Sequence, residues 1–329
     1  MARLSLVAIL FLFLCGAAFA AEGDVGTTAY PFLKIGVGAK ALGMGGAFVG
    51  LADDESAAHY NPAGIIGFRQ KAVSASYMNY VADIQSGYLS LVLPTRGAEE
   101  QMRSGEFDEI EITDASRALA LSINYLNYGS FDRTDADGVV DGDFGGSDIA
   151  VGLTYAKRLG DRVTLAGTGK FIYQKIDEFS SDALAADLGL IYRFKDGRTT
   201  FGVAATNLGF QLSGLSTENK DPLPIIARAG LSHRLRELPV TASGEVSYPT
   251  DNKLFGSIGL EFSKADFPLA LRAGYSTFGE NYKTGGDKDN TAGFAFGAGF
   301  ALGHVAIDYA FVPYADLGSL HRVSLAHRW

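Results

Sequence analysis

The chain has 329 residues, 47% of them hydrophobic and 20% charged, with 41 glycines and a formal net charge of −9. An acidic balance of this size argues against a nucleic-acid partner. Cys15 is the only cysteine; it falls in a segment expected to be removed, which excludes disulfides and cysteine-based metal or nucleophile chemistry from the mature chain.

The first twenty residues read as an export signal. Arg3 gives a short positive region, Leu4 to Leu14 is almost wholly apolar, and Ala18-Phe19-Ala20 is a small-x-small cleavage site. An apolar run of about eleven residues is too short to span roughly 30 Å of hydrocarbon as a helix. Residues 1–20 are therefore expected to be cleaved, leaving Ala21 first. Leu14 precedes Cys15 where lipoprotein processing wants a small residue, so a lipid anchor is not expected. No later segment approaches eighteen consecutive apolar residues, which excludes helical membrane spans.

Residues 21–70 do not read as strands. Phe32 to Val49 is rich in small residues, including Gly43, Gly45 and Gly46. Leu51 to Tyr60 is a short helix candidate with Asp53 or Asp54 as N-cap. Asn61-Pro62-Ala63-Gly64 then turns the chain, because the proline biases Asn61 away from helix and Gly64 relaxes the exit.

From residue 72 onward the dominant signal is period-2 alternation. Leu184, Ala186, Leu188, Leu190 and Tyr192 alternate with Ala185, Asp187, Gly189, Ile191 and Arg193; the same pattern runs through Val240 to Tyr248, Phe294 to Leu302 and Val305 to Phe311. Strands are expected over 72–80, 84–93, 118–128, 147–158, 161–175, 182–194, 198–208, 225–235, 238–248, 254–263, 267–278, 290–302, 303–313 and 320–329. These fourteen segments are mostly near the length that crosses a bilayer at a tilt. In the last of them Val323, Leu325, His327 and Trp329 face one side, and Arg322, Ser324, Ala326 and Arg328 the other.

The connections separate a membrane barrel from a soluble sandwich. Short links at 159–160, 195–197, 236–237, 264–266 and 302–303 alternate with longer polar stretches at 176–181, 209–224, 249–253, 279–289 and 314–319. Tight turns on one rim and long loops on the other are the two rims of an outer-membrane barrel. Aromatic residues near strand ends (Tyr77, Tyr80, Tyr125, Tyr128, Tyr173, Tyr192, Tyr248, Tyr275, Phe278 and Trp329) stand where interfacial girdles would lie. Charges on the other face are intolerable towards lipid and reasonable towards a wet or plugged lumen. Those expected there are Lys170, Asp187, Arg193, Arg228, Glu245, Glu261, Arg272, Asp308, Arg322 and Arg328. One connection, 94–117, is long and acidic although it falls on the short-turn rim, so either it hides a strand or it is a periplasmic excursion.

The stretch FLKIGVGAKALGMGGAFVGLADDESAAHYNPAG strongly resembles the N-terminal signature of the PorV/PorQ family of outer-membrane proteins. More distantly it resembles the FadL long-chain fatty-acid transporters, which share the Asn-Pro-Ala turn. The likeness continues through Ser147 to Phe194 and Asn207-Leu208-Gly209. It implies a fourteen-stranded barrel with residues 71–329 as the wall and residues 21–70 folded into the lumen as a hatch. On that basis Gly43, Gly45, Gly46, Asn61, Pro62, Ala63 and Gly64 are candidate hatch or gating residues, although they could equally do no more than shape a turn in the plug.

Several other motifs are weak. Gly36-Val37-Gly38-Ala39-Lys40-Ala41 matches a dinucleotide fingerprint without its strand–helix–strand context. The stretch from Asp132 to Asp148 holds six aspartates and could bind Ca²⁺, but its spacing departs from the EF-hand pattern and a solvated external loop explains it better. The five histidines show no metal-ligand spacing, and nothing in the spacing makes a rim enzyme of His233 and Asp308. The sequence thus supports an all-β transmembrane barrel that is not an enzyme and holds no cofactor or metal. Its expected surroundings are outer-membrane lipid, and either a small hydrophobic ligand taken up passively or the proteins of a type IX-like secretion machine.

Overall fold

A strand with one apolar face must hide that face from water, and in a bilayer the sheet must also leave no unpaired edge. Both demands are met here. A computed structural model, describing residues 26–79, 84–95, 115–135, 137–216, 219–264 and 267–329, is a closed antiparallel barrel of fourteen strands. They are β1 (Ala72–Asn79), β2 (Gln85–Thr95), β3 (Arg117–Thr134), β4 (Val140–Leu159), β5 (Val163–Ile176), β6 (Phe179–Arg193) and β7 (Thr199–Ser213). The second half is β8 (Ile226–Arg234), β9 (Val240–Pro249), β10 (Phe255–Ser263), β11 (Leu269–Ser276), β12 (Phe294–Leu302), β13 (Val305–Pro313) and β14 (Ser319–Arg328). Each strand pairs with the next, and β1 closes on β14 from Ala72↔Arg328 to Asn79↔His321. Lys71 and Trp329 seal that seam by exchanging backbone hydrogen bonds of 3.1 and 2.9 Å.

The alternation sorts the two faces. Leu89, Leu153, Phe210, Ile258, Leu260 and Leu325 are exposed on the outside, while Ser74, Thr168, Asp187, Ser243, Glu245 and Arg322 are buried inside. A continuous apolar belt of this extent would drive association in water and is solvated by hydrocarbon. The belt and the closed wall place the chain in the bacterial outer membrane. The turns after β4, β6, β8, β10 and β12 share the periplasmic rim with the C-terminus, and most of the longer loops share the outer one.

Four expectations need correcting. β3 and β4 run on to Thr134 and from Val140, so most of the Asp132–Asp148 stretch is a two-stranded ribbon above the barrel, not an irregular loop. The stretch 176–181 is not a long loop either, because Ile176 pairs with Phe179 across a two-residue turn. The helix expected from Leu51 is only Ala57–Tyr60 with Ser56 at its N-cap; Asp54 instead accepts from the Ser56 N–H (2.8 Å) and hydroxyl (2.5 Å). Among the supposed girdle aromatics, Tyr128 turns inward to donate to Asp148 at 2.6 Å, and Phe278 sits in a 3₁₀ turn of the outer loops. The leader, Tyr80 and residues 96–114 of the acidic connection lie outside the described residues.

Candidate functional site

The segment 26–70 lies against the inside of the wall, and glycine makes that possible from both sides. A Cβ on Gly43 would stand 3.0 Å from Gly297 Cα, and one on Gly45 would strike the backbone of Gly274 and Tyr275. Met44 covers Gly259, Val49 covers Gly230, Gly50 covers Gly202, and Asn61 with Pro62 covers Gly189. All six wall glycines occupy inward-facing positions: backbone meets backbone at Gly297, Gly274, Gly259 and Gly202, and side chains of the segment fill the space at Gly230 and Gly189.

Hydrogen bonds then pin the segment. Glu245 Oε2 accepts from the backbone N–H of Phe48 (2.9 Å) and Val49 (2.8 Å). Asn61, fully buried, donates from Nδ2 to Val49 O (2.9 Å) and Leu190 O (3.1 Å) and accepts from Ala63 N–H (3.1 Å). Pro62 begins the 3₁₀ turn Pro62–Gly67, and Gly64 packs on Ala52. Gly46 meets no wall atom and holds φ +79°, a turn glycine between Gly45 and Ala47.

The inward charges form pairs. Lys170 binds Asp187 at 2.7 Å, Arg228 binds Glu245 at 3.2 Å, and Arg272 bridges Glu261 (2.6 Å) and Asp308 (2.5 Å). Lys40 joins Asp53 (2.9 Å) to Glu261 (3.2 Å), and Arg328 meets Glu55 at 2.7 Å near the periplasmic mouth. Arg193 sits half-buried at the periplasmic end of β6. Arg322 differs from the others: it is fully buried, with Ser76 (2.9 Å), Ser86 (3.1 Å) and the Met78 sulfur (3.2 Å) as its partners. Lys170, Asp187 and Asn207 also meet at a bulge in β6 and β7, where Asn207 adopts φ 62° and its N–H donates to Asp187 at 2.7 Å; asparagine tolerates that left-handed conformation better than most side chains. His233 and Asp308 stand apart, His233 with Thr199 at 2.8 Å and Asp308 with Arg272. Asp132 and Asp143 face each other across the ribbon, but among the described residues no three His, Cys, Asp or Glu side chains converge as a metal site would require.

Burial shifts several titrating groups of the inner segment, His59 and Asp54 among them. Burial, reinforced by the neighbouring Arg228, Lys170 and Arg322 charges, pushes the His59 imidazole well below its ordinary range, so it stays neutral. Burial and the adjacent Glu55 carboxylate push Asp54 up to about 7.

Above the inner segment, under the outer loops, is an apolar cavity of about 450 Å³. Phe32, Ile35, Leu42 and Tyr60 form its floor, Leu126, Ile226, Ala295 and Val312 its walls, and Phe255, Phe278, Tyr282 and Tyr314 its rim. Lys34 and Arg228 reach it, but Lys34 is already paired with Asp251 and Arg228 with Glu245. Pocket volumes of this order hold small organic ligands. Few of these residues stand out in the sequence, because the lining comes from seven strands, three loops and the inner segment. A separate depression opens to the bilayer on the outside of β7 to β11, where Gly244 and Gly256 lie among Leu231, Val246 and Ile258.

No protein-family model matches the chain, and no curated protein does. Its fold has clear relatives among solved structures. The Ralstonia pickettii toluene transporter TbuX superposes with a TM-score of 0.58 at 13% identity, over 89% of this chain and 98% of that one. The Pseudomonas putida toluene transporter TodX gives 0.59 at 12%, over 89% and 99%. A Pseudomonas aeruginosa FadL homologue gives 0.51 at 12%, over 88% and 98%. At such identities the likeness is one of fold: the chain is a fourteen-stranded barrel with the architecture of FadL-like outer-membrane proteins.

Proposed function

We propose that this barrel admits small hydrophobic compounds to the periplasm by passive diffusion, with residues 21–70 as a hatch across the lumen and the apolar cavity above it as the first binding site. The observation that carries the reading is the cavity: a half-open, aromatic-lined space on the outer side of a segment seated on the wall. Desolvating an apolar solute there is worth about 25 cal/mol per Å² of its surface, enough to collect it from dilute solution without an energy source. Gly43, Gly45, Asn61, Pro62, Ala63 and Gly64 hold the hatch closed, and Gly46 gives it a turn about which to bend. The resemblance of residues 32–64 to PorV/PorQ proteins and the fold likeness to named toluene transporters both support a barrel of this kind.

The test is flux of a monoaromatic hydrocarbon into vesicles reconstituted with the full-length mature protein. Ala295→Phe places a ring inside the cavity and is expected to lower flux at least fivefold while the barrel still inserts. Unchanged flux in that variant would remove the cavity from the route. The secretion reading has one observation in its favour, the ribbon that β3 and β4 raise above the membrane. Removing residues 131–143 is expected to leave flux intact; loss of a specific exported protein from the cell surface in that deletion would favour secretion.

A further inference from the structure

Behind the apolar cavity lies a second, much smaller one, and Arg228 borders both. It is polar, has room of about 30 Å³, and so accommodates one water or one group of similar size. The two spaces adjoin at Arg228, the one residue that lines both. Leu33 borders the small space, its neighbours Phe32 and Lys34 border the large one, and Leu33 packs in one cluster with Leu126 of the large cavity and Ala150 of the small one.

Three polar atoms around this niche lack partners. The Arg228 side chain is 8% exposed; its Nη1 serves Glu245 at 3.2 Å, its guanidinium lies 5.5 Å over the Tyr60 ring, and its Nε–H meets nothing. Tyr88 is 3% exposed, with Ser122 beside its hydroxyl but not closing a hydrogen bond to it. His59 Nε2 is buried and unmatched as well. Leaving one such group unsatisfied costs about 1–3 kcal/mol, so three around one space imply an occupant.

The occupant's chemistry follows from the set. One donor (the Arg228 Nε–H) and two groups able to donate or accept suit a small atom that does both, which describes a hydroxyl or a water. A carboxylate is too large for the niche, and its charge finds no free counterpart, since Lys170 is neutralised by Asp187 and Arg228 by Glu245. A plain hydrocarbon leaves all three atoms as they are.

We propose that the paired cavities select apolar compounds bearing a single hydroxyl, phenols or aliphatic alcohols, with the apolar body in the large cavity and the hydroxyl in the niche behind Arg228. This rests on the uptake reading above and specifies its substrate class. The experiment measures displacement of the fluorescent apolar probe 1-N-phenylnaphthylamine from the detergent-solubilised full-length mature protein by naphthalene, 1-naphthol and 1-naphthoate. The wild type is expected to bind 1-naphthol about tenfold more tightly than naphthalene, the worth of one good hydrogen bond. Tyr88→Phe and His59→Leu should each reduce that ratio to about threefold or less while naphthalene affinity is unchanged, which also shows that the variants are folded. Equal affinities for the two compounds in the wild type, or a ratio that survives both substitutions, would overturn the proposal and leave the niche to water. Tighter binding of 1-naphthoate would overturn it in favour of an anion site. Failure of all three compounds and of the probe to bind would instead defeat the uptake reading, and this assignment with it.

Discussion

Asn61 shows how much a single side chain does inside the barrel. Its amide uses both ends, holding the carbonyls of Val49 and Leu190 and the N–H of Ala63, so it joins two parts of the inner segment to β6. Asn61→Leu keeps the bulk and strands two buried carbonyls, at a cost of about 1–3 kcal/mol for each group left unpaired. Hydrogen exchange should then speed up over residues 47–64 and stay unchanged in the strands. Asp54 makes the segment sensitive to pH. Its carboxyl titrates near 7 in place and near 4 in an unfolded chain, so the folded segment binds the extra proton between those values. The stabilisation is complete below pH 4 and is lost as pH rises through 7. Exchange over residues 52–60 should accelerate across that window in the wild type, and Asp54→Asn should flatten the dependence. The asparagine was legible from the sequence because Pro62 follows it. Its partner Gly189 was not, because a glycine in a strand gives no sign of what lies against it.

At the scale of elements, the wall glycines decide where the inner segment can rest. Gly202→Leu would drive a side chain into the backbone of Val49 and Gly50, whereas a Cβ at the outward Gly244 meets nothing. The first substitution should therefore dislodge the segment and raise the conductance of reconstituted channels to small ions severalfold, while Gly244→Ala stays at the wild-type level; equal conductance in both variants would mean that the glycines do not seat the segment. The strands themselves were readable, since lipid on one side and polar lumen on the other impose a strict period of two. The top of the β3–β4 ribbon was not, because Gly138, Gly142, Gly145 and its aspartates are loop-like in composition. It is held by pairing, by a Phe131–Phe144 contact with ring centroids 5.6 Å apart, and by an Arg133–Asp177 ion pair to the neighbouring turn. Phe131→Ser should fray it by about 0.2–1 kcal/mol, the worth of an aromatic cross-strand pair, seen as faster exchange at Ser130–Thr134 with β5 and β6 unaffected.

For the molecule as a whole, three facts interlock. The apolar belt commits the wall to lipid, the glycine seats hold the inner segment against that wall, and an apolar space remains between the segment and the outer loops. Fold and compartment could be read from alternation and loop lengths, but the cavity could not. Its lining combines Phe32, Leu42, Ile226, Phe278 and Tyr314, residues hundreds of positions apart that the closed barrel alone brings together. The most direct measurement is a crystal structure of the protein soaked with bromobenzene, located by the anomalous signal of bromine. The account predicts a peak inside the cavity bounded by Phe32, Leu42, Ala295 and Tyr314, with the inner segment in place beneath it. A cavity without bromine, with the peak instead in the lipid-facing depression beside Gly244 and Gly256, would contradict it.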